Sequence, residues 1–73
     1  MRYWIIESPT RGILVDFDEL DQKPRFAWSI MRTDSKARVF FTREKAERFL
    51  ISKGKIMPTN CYTLEINNGR VIQ

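Results

Sequence analysis

From Arg2 to Ser8 the chain is rich in β-formers and its side chains alternate, Trp4 and Ile6 on one side, Tyr3 and Ile5 on the other, the pattern of a strand. Pro9, Thr10, Arg11 and Gly12 supply turn chemistry before a second β-rich run, Ile13 to Phe17, so the opening predicts a hairpin. Asp16 to Pro24 is acidic and ends in a proline, which predicts a solvated loop. Phe26 to Met31 alternates again as a third strand, with Phe26, Trp28 and Ile30 on one face and Ala27, Ser29 and Met31 on the other. Thr33 to Lys36 is a polar turn, and Ala37 to Phe41 reads as a fourth strand.

At Thr42 the period changes. Its hydroxyl can cap a helix, Glu44 sits in the first turn near the positive end of the helix dipole, and Ala46, Phe49 and Leu50 fall at i, i+3 and i+4 as one apolar stripe. Glu44 and Arg48 make a well-oriented i,i+4 ion pair. Lys53 and Gly54 stop the helix, and Pro58 prevents an early restart. Tyr62 to Asn67, Asn68-Gly69 and Arg70 to Ile72 predict a terminal hairpin with a type I′ turn, with Tyr62, Leu64, Ile66 and Val71 on a shared face that points at the helix or at the first sheet. The expected order is ββββαββ: an α+β fold, a small antiparallel sheet of about five to six strands packed by one short α-helix, in a single domain over residues 1–73.

Size sharpens this picture. A chain of 73 residues builds one core with only a few kcal/mol of net stability and usually needs a staple. Cys61 is the only cysteine and histidine is absent, so neither an internal disulfide nor a zinc site is available, and oligomerisation remains. No metal or cofactor is expected, because the acidic stretch lacks the glycine that a calcium loop needs at its sharp turn. The longest apolar runs fall far short of the roughly 20 residues that cross a bilayer, and the N-terminus lacks a signal-peptide core, so the expected setting is the cytoplasm, where a lone thiol stays reduced.

Charge is unevenly placed. Residues 1–35 hold five Lys/Arg against six Asp/Glu, whereas residues 36–73 hold eight against three. A basic half is the electrostatic footprint of a binder of nucleic acid, nucleotide or an acidic protein, or else a solubilising surface.

The spacing Phe40-x-Thr42-x-Glu44-x-Ala46-x-x-Phe49-Leu50, following a strand from Ala37, resembles a strand-to-helix element recurrent in very small phage and mobile-element proteins. The likeness spans Trp4 to Ile66. It implies stoichiometric inhibition of host defence or host enzymes, either as an anti-CRISPR protein that mimics or masks nucleic-acid surfaces, or as a sponge that sequesters a nucleotide immune signal at a homo-oligomer interface. No functional residue carries over from it. This chain departs from the element at Phe41, a position usually polar. Alternation puts Phe41 with Val39 opposite Phe40, so apolar residues occupy both faces of the sheet. One short helix covers one face. The terminal hairpin or another subunit must cover the other, and a homodimer or higher homo-oligomer is expected.

Catalytic chemistry finds little footing. Without histidine the commonest general base is missing, no basic residue adjoins Cys61 to form a thiolate, and Gly12, Gly54 and Gly69 are isolated, so no phosphate-cradling loop exists. A non-enzymatic binder is expected. Its candidate ligand-binding residues pair flat aromatic surface with guanidinium groups: Trp4, Trp28 and Phe41 for stacking, and Arg11, Arg32, Arg38 and Arg43 for phosphate. Both tryptophans also sit in strand patterns that suit a core. The competing expectation is an inhibitor that docks its apolar second face on a host or phage protein, with no small ligand.

Overall fold

The computed structural model describes residues 1–20, 23–58 and 60–72. They form an α+β fold: β1 (Arg2–Ser8), β2 (Gly12–Leu20), β3 (Lys23–Ser29), α1 (Arg43–Ser52), β4 (Tyr62–Asn67) and β5 (Arg70–Ile72). The strands make one antiparallel sheet in the order β3-β2-β1-β4-β5. No helix among the described residues is long and apolar enough to cross a membrane.

The order is βββαββ rather than ββββαββ. The acidic segment expected as a loop is instead the long arm of a hairpin, since β2 continues through Asp16 and Asp18 to Leu20 and pairs with β3 along its whole length; Asp21 lies outside the described residues. Cross-strand pairing explains this. Phe17 sits opposite Phe26 with ring centroids 4.9 Å apart, and that aromatic pair outweighs the poor β-propensity of aspartate. A bulge between Leu14 and Asp16 inserts one extra residue. Leu14 and Phe17, three apart, thereby reach the same side, over Trp28 and Phe26. Ile30 falls past the end of β3 and is exposed, so it does not share the inward face of Phe26 and Trp28.

Ala37 to Phe41, expected as a fourth strand, makes one isolated bridge, Trp4 with Phe40. β1 and β2 pair only at Glu7 with Ile13 and Ser8 with Gly12, then part, and this segment enters the gap between them. On one side the Arg38 amide donates to the Leu14 carbonyl (2.9 Å); on the other, Phe40 and Trp4 exchange two bonds of 2.8 Å each. Two diverging neighbours cannot both hold one straight strand in register, so pairing stops there.

Thr42 caps α1 through its hydroxyl, which accepts from the Lys45 amide at 3.1 Å, and Lys53 closes the C-terminus, its amide donating to the Phe49 carbonyl. The helix packs over β1 and β4. Beneath it Ala46 is fully buried, and Phe49 and Leu50 join Phe26, Trp28 and Phe40 around Ile6, Leu14 and Met57. The opposite face holds a second cluster, Ile5, Ile13 and Ile66, with Tyr3, Val15, Ala37, Leu64 and Val71 against it. The shared face expected of Leu64, Ile66 and Val71 is therefore the one away from the helix. Asn68 and Gly69 both take positive φ (52° and 79°), as a type I′ turn demands.

The terminal hairpin does not fold over that second face; it extends the sheet beyond β1. Part of the cover comes from the link between β3 and the inserted segment. β3 flanks β2 on its outer edge, whereas Arg38 bonds β2 from its inner edge, so residues 30–36 cross β2. They cross on the face away from the helix, where Arg32 reaches Glu7 and Ala37 packs on the Ile5 cluster.

Candidate functional site

Two surfaces carry chemistry. The first is the anchor of the crossing link. Glu7 follows Tyr3 and Ile5 on the second face and is buried, so its charge needs a partner. Arg32 supplies one with a fork: Nε donates to Oε2 at 2.7 Å and Nη2 to Oε1 at 2.8 Å. The Tyr62 hydroxyl, on β4 beside β1, donates to the same Oε1. The Arg32 hydrogen bonds hold the Glu7 carboxyl below the ordinary carboxylate range against the opposing effect of burial, with Tyr62 adding to the depression. The same contacts push the Arg32 guanidinium and, through its bond to Glu7, the Tyr62 phenol upward. Beside the cluster an open cavity of about 440 Å³ is lined by Glu7, Ser8, Thr10, Ile30 and Arg32. The Glu7 carboxylate accepts from three donors, and the Arg32 guanidinium is already paired with it. The cluster is suited to fastening the link. Sequence patterning named Arg32 without Glu7 or Tyr62; the available signal was a glutamate in register with Tyr3 and Ile5.

The second surface surrounds α1. Arg43 begins the helix and lies 3.8 Å from Glu65, which also pairs with Arg2 at 3.4 Å. Arg38 lays its guanidinium over the Phe49 ring, 5.1 Å from the centroid, and Lys53 sits 4.7 Å from the centroid of Phe17. Arg48 pairs with Glu44 on the exposed side. Among the described residues Lys45 and Lys55 have no carboxylate within ion-pair distance.

The seven candidate ligand residues do not form one patch. Trp4 is buried beside the inserted segment, and its indole N–H has no acceptor among the described residues. Trp28 is half-buried against Leu14, 6.0 Å from Phe26 between ring centroids. Arg32 is committed to Glu7, and exposed Arg11 stands in the first turn, close enough to Cys61 to act on its thiol. Arg38 and Arg43 lie on the helix side, whereas alternation turns Val39 and Phe41 away from it. Cys61 donates to the Pro58 carbonyl at 3.1 Å, and burial pushes its thiol up, a shift that Ser8 and Arg11 only partly oppose. It is thus further from a thiolate than a free cysteine.

Comparison with family models, with curated proteins and with solved structures returns no match for the chain.

Proposed function

We infer that the protein works by binding rather than by catalysis, and that its basic side holds an anionic ligand, a nucleotide or short nucleic acid. Charge placement carries this reading. Residues 36–55 hold seven Lys/Arg against two Glu, more than the whole net charge of +4. Arg38, Arg43, Lys45, Arg48, Lys53 and Lys55 lie in or beside α1, and the ion pairs of Arg43 and Arg48 are weak: exposed ion pairs contribute little, and a phosphate competes well for the same guanidinium. The titratable groups also favour binding, since Cys61 is shifted away from its nucleophilic form and Glu7 is consumed in an ion pair. With the resemblance to small phage proteins, this makes the chain a counter-defence factor that sequesters a nucleotide signal or short nucleic acid in the host cytoplasm.

The test is a fluorescence-anisotropy titration of a labelled single-stranded oligonucleotide of about twelve nucleotides, with nucleotides as competitors. Binding should weaken steeply with salt as counterions are released, and Lys45→Glu with Lys55→Glu should reduce it about tenfold or more while the circular dichroism stays unchanged. Exposed Val39 and Phe41 favour a second reading, docking on a host or phage protein with no small ligand. That reading takes over if neither oligonucleotide nor nucleotide binds.

A further inference from the structure

We propose that the sheet face away from α1 is a two-fold self-association surface, closed in solution by a second copy of this chain. The inference does not rest on anion binding at the helix side. Five of the large apolar residues left exposed border this face: Ile30 (88%) and Met31 (61%) on the crossing link, Val39 (40%) and Phe41 (59%) on the inserted segment, and Tyr62 on β4. Between them lie half-buried Tyr3, Leu64 and Val71, packed on the Ile5 cluster but not sealed by it.

Charge selects the occupant. Across β1, β4, β5 and the inserted segment, the one charged side chain on this face is Glu7, and Arg32 neutralises it. At the rim, Asp16, Asp18 and Asp34 nearly cancel Arg25 and Lys36. The cations of residues 38–55 gather in and beside α1, so two identical chains can meet here with little like-charge repulsion, while their helix sides stay outward. An acidic protein partner would be drawn to the helix side instead. The face is also sizeable: β1, β4 and β5 with the inserted segment beside β1, neighbours about 4.8 Å apart, present on the order of 300 Å² in projection, to which side-chain relief, the Ile30–Met31 link and the rim of β2 and β3 add. A standard interface takes about 800 Å² of accessible surface per partner. A two-fold axis makes such a patch self-complementary and closed, so assembly stops at the dimer.

Sedimentation equilibrium of the full chain tests this. The expected mass is twice 8.7 kDa, holding from about 50 to about 500 mM salt because the contact is mainly apolar and its charges nearly cancel. Val39→Asp with Phe41→Asp should raise the dimer dissociation constant about tenfold or more. Should that variant lose its circular dichroism, Met31→Asp on the exposed link serves in its place and carries the same expectation. Ile51→Asp, on the exposed side of α1, should leave the dimer intact. The proposal is overturned by a monomer at concentrations up to about 100 μM, by a dimer indifferent to Val39, Phe41 and Met31, or by a dimer that dissociates with salt. The last would place the contact between the acidic hairpin and the basic side. Oligonucleotide binding is read separately, so either result stands without the other.

Discussion

Glu7 shows how one side chain fixes a connection far away in sequence. Its carboxylate is buried on an apolar face, and the Arg32 fork that compensates it fastens a link 25 residues downstream. Its folded pKa lies below the ordinary value of 4.5, so the stabilisation is fully present above that pH and is lost as pH falls through the folded value. Urea midpoints between pH 7 and pH 3 should therefore decline below about 4.5, and Glu7→Gln should be less stable at neutral pH and flatter in the acid range. A variant with an unchanged acid limb would remove Glu7 from that role. Gly12 acts by its absence of a side chain. It holds φ at 96° where β2 leaves the turn, and an added Cβ would overlap the Ser29 carbonyl oxygen, a backbone atom that cannot swing aside. Gly12→Ala should cost about 3 kcal/mol or more in chemical denaturation, well above the conformational gain such a substitution brings at an unstrained site.

Among the elements, α1 was readable because its signals are local. Thr42 provides the cap, Ala46, Phe49 and Leu50 the inward stripe, and both signals lie within one window of sequence. Thr42→Ala should cost about 1 kcal/mol by leaving the Lys45 amide without its acceptor, measured as a shift in urea midpoint. The terminal hairpin was readable for the same reason, through Asn68 and Gly69. What was not readable depends on partners distant in sequence. Asp16 and Asp18 look like loop residues until Phe17 finds Phe26, and the bulge at Val15 that brings Leu14 and Phe17 to one side leaves no mark in the alternation. Ala37 to Phe41 has strand chemistry, but whether it pairs depends on how far β1 and β2 diverge. The candidate ligand residues divide along the same line: exposure of Arg38 and Arg43 followed from their position in the pattern, whereas the capture of Arg32 by Glu7 required the fold of the crossing link.

At the scale of the whole molecule the organising feature is that cations gather in and beside α1, while five of the nine exposed large apolar residues among those described border the opposite face. The helix side gathers the cations, while the opposite face offers Val39, Phe41 and the crossing link with almost no net charge. Arg38 and Phe41 lie on opposite sides, so one extended segment contributes a cation to one surface and an aromatic ring to the other. Salt should then act on the two surfaces differently, weakening anion capture and sparing apolar contact. The most direct test is the oligonucleotide anisotropy titration at stepped salt, run on the wild-type chain and on Lys45→Glu with Lys55→Glu. The account predicts an affinity that falls linearly on a log–log plot with salt and is about tenfold or more lower in the charge-reversed chain. An affinity indifferent both to salt and to the two reversals would contradict it.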